Sequence, residues 1–573
     1  MRAAGSKRLH PCGAGRAVSG PMASECVVGC DIGTTSTKAV LVSRDGRVLR
    51  EASTEYGVLT PRPLWAEQWP DVWLEAAGKV IRELLADGRV APQQVQALAI
   101  SGLYGGSGVP CGPDMEPLRP CIIWMDRRAT AEVEWVRRQV DLGRLFEITG
   151  NHVDSYYGYT KILWIQRHEP EVWARTRVLL PPNHYVIYRL TGQVNIDYSA
   201  AGNLGGVFDM GRRSWSLEML AALGIDPNRL PQDLVSSAQP AGRLHREGAS
   251  RTGLLEGTPV YSGGVDAAAA TLSAGVLGGG EHVAMMGTSM CWGFVHAQKP
   301  RSPGLVSMPY VVRPLELVYS FGGAATAGAL ARWYRDELGG RERAAAEMLG
   351  VSAYRLLDLR AESVPPGSDG LIVLPYFMGE RSPIWDPAAR GTVVGLTLYH
   401  TAAHLYRAFL EGVAYALRHN IETAVQAGYP LQAEMRVVGG AARSPLWVQI
   451  LADVTGRSVR VSEDGGEAAV GDAMLAALAC GMVSERDLAS WVRLREPVHP
   501  RPQASAVYDR YYPHYLGLYE DLRQRFAALA EVEQAQTGRG DPPEDASVWG
   551  RPGGAAGGPG APAKTSSDGG GEP

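Results

Sequence analysis

No Cys-x-x-Cys pair occurs among the seven cysteines, which stand at 12, 26, 30, 111, 121, 291 and 480. An odd, scattered set of this kind argues against a disulfide framework and against a thiolate zinc site. Cys26 and Cys30 share one side of an apolar strand and read as small core residues. Long apolar runs are missing too. The strongest, 371–378, is interrupted by Pro375 and falls far short of the about 20 residues a spanning helix needs. An excess of charge of one sign is also absent: a net charge of -4 on 573 residues gives no field that would draw in nucleic acid or an anionic membrane. Residues 1–21 carry basic side chains but no apolar segment of a secretory signal, which leaves the cytoplasm as the expected compartment.

What is present is a large globular chain. Hydrophobic residues at 45% and charged residues at 20% supply a substantial core, and the length predicts two large lobes rather than one domain. Residues 1–24 and 531–573, dominated by small residues and proline, are expected to be disordered tails, and Met22 is a second candidate start. Between the tails, an apolar run at 26–31 leads through Gly33, Thr34, Thr35 and Ser36 into a second run at 38–42. Asp45-Gly46 then predicts a type I′ hairpin turn. From Asp71, the residues Trp73, Ala76, Ala77, Val80 and Leu84 recur at helical spacing, and 95–101 reads as a buried strand. A long helix starts near Thr401, with Leu405, Ala408, Phe409, Gly412, Val413, Ala416 and Leu417 on its apolar stripe. Arg407, Glu411 and Arg418 fall off that stripe, and Gly428 and Pro430 end the helix. Tyr508, Tyr511, Tyr512, Tyr515 and Tyr519 recur at helical spacing and predict core packing rather than base stacking. The mixture of strands and amphipathic helices makes the fold class α/β.

Phosphoryl transfer asks a protein for backbone N–H groups around phosphates, a carboxylate for Mg²⁺ and a base beside the acceptor hydroxyl. Four segments offer these. Asp31-Ile-Gly33-Thr34-Thr35-Ser36-Thr37-Lys38 joins a strand-ending carboxylate to a glycine that lets backbone approach phosphate; alone it is equally a capped hairpin turn. Met286-Gly287-Thr288-Ser289 repeats that arrangement after a second apolar run. Val437-Val438-Gly439-Gly440-Ala441-Ala442-Arg443-Ser444-Pro445 is a strand, glycines and a helix start, where a nucleotide can lie against backbone, although it lacks the Walker A pattern. Ser262-Gly263-Gly264-Val265-Asp266 sets a carboxylate before a run of alanines, where a helix N-cap is the plainer reading of Asp266.

Taken in order, these segments resemble the FGGY carbohydrate kinases, the family of glycerol kinase, gluconokinase, ribulokinase and xylulokinase, from about residue 26 to about 520. Two further stretches strengthen the resemblance. Tyr156-Tyr-Gly158-Tyr-Thr-Lys161-Ile-Leu-Trp164-Ile-Gln-Arg-His168 is similar to the family's first signature, with Gly158 where Pro, Ser or Thr is usual. Gly391-Thr-Val-Val-Gly395-Leu396, continuing to Phe409-Leu-Glu411-Gly412, is similar to the second, with Phe409 where a smaller residue is usual.

The resemblance implies two actin-like (ribonuclease-H-like) α/β domains, 25–275 and 276–530, with ATP, Mg²⁺ and a sugar in the cleft between them. By position Asp31 matches the Mg²⁺-associated aspartate. Gly33, Thr34, Thr35 and Lys38 match the first phosphate loop, and Gly287, Thr288 and Ser289 the second. Gly439, Gly440, Ala441, Ser444 and Gly471 match the adenosine site, and Asp266 the catalytic base. Trp124, Asp126 and Tyr156 match the acceptor pocket, as does the loop at Tyr104-Gly105, where xylulokinases usually carry Met-His and glycerol kinases Arg-Glu. Ala267 stands where many members have Asn or Gln. The segments Gly379-Glu380-Arg381-Ser382-Pro383 and Asp386-Pro-Ala-Ala-Arg390-Gly391 look closest to xylulokinases, which favours a pentulose. Gluconate, ribulose, erythritol and glycerol stay open as acceptors. A catalytically silent sugar-binding regulator is a further alternative, and an actin-like ATPase leaves the segment 161–168 without a role. The expected partners are a small sugar and, as an open alternative, a second copy of the chain.

Overall fold

The computed structural model describes residues 25–463 and 465–536. The stretches 1–24 and 537–573, with Cys12 and most of both expected tails, lie outside the described residues. The last helix, Pro502–Gln536, runs on through 531–536, so the C-terminal tail does not begin at 531 as composition suggests. The main compact unit extends to Arg523.

Two six-stranded sheets organise that unit. The first holds β1 (Cys26–Ile32), β2 (Ser36–Ser43), β3 (Val48–Glu55), β4 (Val95–Gly102), β5 (Pro240–Arg243) and β6 (Pro259–Val265) in the order β5-β6-β4-β1-β2-β3. The second holds β7 (His282–Met286), β8 (Met290–His296), β9 (Val306–Pro309), β10 (Val318–Gly322), β11 (Glu434–Gly439) and β12 (Ser458–Val461) in the order β9-β10-β8-β7-β11-β12. In each sheet the leading strand, β1 or β7, makes a tight antiparallel hairpin with its successor and pairs in parallel with a strand that arrives much later. A parallel partner requires a crossover, and that connection supplies the helices.

The helices that matter below are α1 (Asp71–Leu85), α2 (Gly158–His168), α3 (Pro182–Thr191), α4 (Asp266–Ser273), α5 (Ala402–Gln426), α6 (Pro445–Thr455), α7 (Ala468–Ala479) and α8 (Pro502–Gln536). The stripe Trp73, Ala76, Ala77, Val80 and Leu84 of α1 is buried against the first sheet, as its spacing predicts. Tyr508, Tyr512 and Tyr515 of α8 are likewise buried.

Two local expectations are corrected. Among the residues of the β2–β3 turn only Gly46 has a positive φ, +80°, whereas a type I′ turn needs two such residues. The Gly46 N–H donates to the Ser43 carbonyl at 2.9 Å, so Arg44 and Asp45 turn the chain with negative φ and Gly46 takes the left-handed position after them. On α5, Arg407 and Glu411, which the spacing sets off the apolar stripe, are nonetheless only 2% and 1% exposed. Their ion pair, Nε to Oε1 at 2.7 Å, is completed by the Tyr508 hydroxyl at 2.7 Å from Glu411 Oε1, so α8 supplies cover that helical periodicity cannot foresee.

α7 joins the two halves. It follows the edge strand of the second sheet yet lies on β1, β2, β4 and β6 of the first and against α4. Small residues allow this. Ala469, Ala473, Ala476 and Ala477 pack with Val27, Val40, Ala97 and Ala99. A Cβ on Gly29 would stand 1.9 Å from the Ala469 carbonyl oxygen, and one on Gly471 the same distance from that of Ala269.

Candidate active site

β1 and β6 flank β4 in parallel, so their carboxyl-terminal ends open side by side, about two strand spacings or 10 Å apart. Such ends are the usual ligand positions of open α/β sheets. β1 delivers Asp31 there and β6 runs into Asp266. The cap of α4 is Val265 and Asp266 is its first residue, with its own Oδ1 accepting from the Ala267 N–H at 2.6 Å. Asp266 is therefore not a helix N-cap, and its second oxygen is uncommitted among the described residues.

Burial raises both carboxyls. Asp266 is pushed up to about 7 by desolvation and then by the charge of Asp31. Burial raises Asp31 as well, opposed by a hydrogen bond from Ser101 and by Lys38, with Glu467 adding to the rise. A carboxylate whose proton affinity sits near neutrality is suited to accept a hydroxyl proton.

A glycine hairpin follows the leading strand of each sheet. In the first, the Gly33 N–H donates to the Ser36 carbonyl at 3.0 Å, and the Thr34 Oγ1 accepts from the Trp124 indole at 2.9 Å. In the second, the carbonyls of Gly287 and Thr288 are held by the N–H groups of Gly328 at 2.9 Å and Ala327 at 3.0 Å. Gly287, Thr288 and Ser289 line a cavity of about 680 Å³ together with Gly439 and Gly440. Lys38 reaches across from β2 to Glu467, another cavity residue, at 2.9 Å, which links the first hairpin to the same space.

Three residues expected around adenosine do not face the cavity. Ser444 caps α6 by accepting from the Trp447 N–H at 3.0 Å, Ala441 is buried behind the loop, and Gly471 is the close helix contact with Ala269. Their places are taken by Ala442, Arg443, Ser462, Glu463, Gly465 and Gly466, with Arg495 at the rim. The Gly465-Gly466-Glu467 run was the available signal, being a second glycine-rich turn before a helix.

On the acceptor side Tyr104, Gly105, Trp124 and Tyr156 come together. Gly105 has φ +83°, and a Cβ there would meet the Tyr156 carbonyl oxygen at 3.0 Å and Trp124 Cβ at 3.1 Å. No side chain fits. Tyr104 turns inward instead, its hydroxyl donating to Asn183 Oδ1 beside Asp197 Oδ2 at 3.4 Å, both in a buried polar network around His184. Burial pushes the Tyr156 phenol up to about 12, with the neighbouring Asn203 amide opposing the rise. Lys161 of α2 fixes this wall: its Nζ donates to the carbonyls of Gly105, Ser155 and Tyr156 at 2.8, 2.6 and 2.7 Å. Burial lowers that ammonium to about 7, while three carbonyl acceptors match the three N–H bonds of its charged form.

Asp126 is withdrawn from the acceptor pocket. Its side chain is 0% exposed, and both oxygens are used, by the Arg128 guanidinium at 2.7 Å and by the N–H groups of Ala66 and Arg128. It holds a loop in place.

Residues 26–273 match the N-terminal domain, and residues 282–480 the C-terminal domain, of the FGGY family of carbohydrate kinases. The xylulose kinase of Bacillus subtilis (strain 168) is 31% identical over 508 residues, covering 88% of this chain and 98% of that protein. The gluconokinase of Bacillus licheniformis is 29% identical over 513 residues, covering 89% and 98%. The crystal structure of xylulose kinase from Rhodospirillum rubrum superposes with a TM-score of 0.79 at 32% identity, covering 88% of this chain and all of that one at 100%. Two glycine hairpins after leading strands, two half-buried carboxyls at neighbouring strand ends and both family domains in order lead to one assignment: the chain belongs to the FGGY family of carbohydrate kinases, enzymes of two actin-like α/β domains that phosphorylate sugars.

Proposed function

We propose that the enzyme transfers the γ-phosphoryl group of ATP to a hydroxyl of a pentulose of the xylulose type, with Asp266 as general base. In this reading the sugar-binding domain is 25–275 and the nucleotide domain 276–530. The observation that carries it is Asp266 at the end of β6, uncommitted at one oxygen and raised toward neutrality by burial and by the charge of Asp31. The acceptor hydroxyl donates its proton to Asp266 as its oxygen attacks the γ-phosphorus in line, and ADP leaves. In this reading the bare backbone at Gly33 and Gly287 lets the phosphates approach, the N–H groups of Thr34 and Thr288 donate to them, and Lys38 can exchange Glu467 for them. Adenosine lies against Gly439, Gly440 and Gly466.

Asp31 and Asp266 offer the hard oxygen donors that suit Mg²⁺. Among the described residues no group of three or more His, Cys, Asp or Glu side chains is arranged to hold a metal by itself. That donor set fits an ion that arrives with the nucleotide, most of its oxygens coming from phosphate and water. When bound, Mg²⁺ offsets the phosphate charge.

Support for a pentulose comes from the relatives named xylulose kinase and from an acceptor wall of Trp124, Tyr156 and Gly105 that presents no charged side chain. A panel of xylulose, ribulose, gluconate, erythritol and glycerol, scored by ADP release at saturating ATP, tests it. The highest kcat/KM belongs to xylulose. Activity confined to gluconate overturns the pentulose assignment, and ATP binding without turnover on any acceptor overturns the catalytic one.

A further inference from the structure

Asp472 is the one acidic side chain of α7, in a helix otherwise built of small and apolar residues, and it is 0% exposed. Its Oδ2 lies 2.7 Å from the Ser101 hydroxyl oxygen and accepts from the Ser101 N–H at 3.3 Å, while Oδ1 has no hydrogen-bond partner among the described residues. The strand register sets Ser101 of β4 directly beside Asp31 of β1, and the Ser101 hydroxyl lies 3.2 Å from Asp31 Oδ1. That contact is the only side-chain hydrogen bond to Asp31 among the described residues. The fold makes room for it: a Cβ on Gly263 would stand 2.0 Å from Asp472 Oδ1, so β6 is bare where the carboxyl enters.

A serine hydroxyl has one proton and two lone pairs. With carboxyls at 2.7 and 3.2 Å, both contacts can be hydrogen bonds only if one carboxyl brings a second proton; burial raises Asp472 well above the usual carboxylate range, so Asp472 donates to the Ser101 oxygen and Ser101 turns its own proton to Asp31. The residue just before α7, Glu467, lines the nucleotide cavity and pairs with Lys38. Five helical residues on, about 7.5 Å along the axis, the same rigid element reaches Ser101. One helix therefore touches the nucleotide cavity at its start and, through one hydroxyl, the carboxylate assigned to the cation.

We infer that Asp472 is a positioning residue that acts through Ser101 to orient Asp31 for the cation–nucleotide complex. The inference rests on the assignment of Asp31 made above. Loss of an outer-shell partner of a ligating carboxylate typically weakens metal affinity or activity by roughly 10–100-fold. The test uses the full-length enzyme and binding of Mn²⁺–ADP by calorimetry, alongside kcat, acceptor KM and the thermal midpoint. Ser101→Ala and Asp472→Ala are each expected to weaken Mn²⁺–ADP binding by roughly tenfold with acceptor KM little changed, and the double variant to be no weaker than Ser101→Ala alone. Asp472→Asn, whose amide N–H can donate to the Ser101 oxygen in place of the carboxyl proton, is expected to recover most of the affinity. Ser101→Ala removes only a hydroxyl and carries the test by itself if Asp472→Ala does not fold. Effects of the two substitutions that multiply, or wild-type Mn²⁺–ADP affinity in folded Ser101→Ala, overturn the inference. Asp31→Ala separates the two claims: if it too binds Mn²⁺–ADP like wild type, the cation assignment fails, and if it alone is weakened, only the role of Asp472 fails.

Discussion

Asp266→Asn should yield a protein that is nearly inactive and yet more stable than wild type at neutral pH. The native carboxyl holds its proton more tightly than the unfolded chain does, because it is buried and faces Asp31. Between about pH 4 and pH 7 the native state therefore binds more protons than the unfolded state, and stability falls as pH rises through that window. Above pH 7 the penalty is fully present. A rise from the ordinary 3.8 to about 7 amounts to roughly 4 kcal/mol at about 1.4 kcal/mol per pH unit, an upper bound on what Asn relieves. The amide oxygen can still accept from the Ala267 N–H, so that bond is not sacrificed. Scanning fluorimetry from pH 4.5 to 8.5 should show Asp266→Asn melting above wild type at pH 8, with the gap closing toward pH 4.5. Turnover by ADP release should fall by about 10²–10⁴-fold, the range for a lost general base, with ATP affinity retained. A variant less stable than wild type at every pH, or one within tenfold of wild-type turnover, would refute the reasoning.

Two smaller perturbations separate the acceptor wall from its supports. Gly105→Ala places a Cβ in a left-handed conformation against Tyr156 and Trp124, so acceptor KM should rise by roughly tenfold with the KM for ATP unchanged; an unaltered acceptor KM counts against this wall. Asp126→Asn takes from the buried Arg128 guanidinium one of its two carboxylate partners, Glu67 at 2.7 Å being the other, so the urea midpoint should fall by an amount equivalent to about 2 kcal/mol while acceptor KM in the folded fraction stays put. A selective loss of acceptor affinity would return Asp126 to the pocket.

Where the chemistry is local, the sequence was readable. Asp31 with Gly33 to Ser36, and Gly287 to Ser289, announce strand-to-turn loops because a glycine and hydroxyls directly after an apolar run have few other uses. Asp266 gained its meaning only from company, and the fold excludes the cap reading by making Val265 the cap. Failures came where a partner is distant in the chain. Arg407 and Glu411 fall off the apolar stripe, and only Tyr508, far along the chain, makes them buried partners; Asp126 looks like a sugar ligand until Arg128 takes both its oxygens. Ser444 sat within the expected loop, but its hydroxyl was claimed by the next helix start. Asp472 was hidden by its own surroundings, since one acid in an alanine-rich helix has no periodicity to betray it.

The seating of α7 also limits how the cleft can open. With Ala469 over Gly29 and Gly471 against Ala269, backbone meets backbone where no Cβ could stand, so a slide of even one residue rise, about 1.5 Å, would drive alanine methyls into main chain. Translation of one half across the other is thereby blocked. What remains is rotation about this contact as a pivot. The mouth of the cleft can then travel several ångströms while groups at the pivot, Ser101 and Asp472 among them, hardly move.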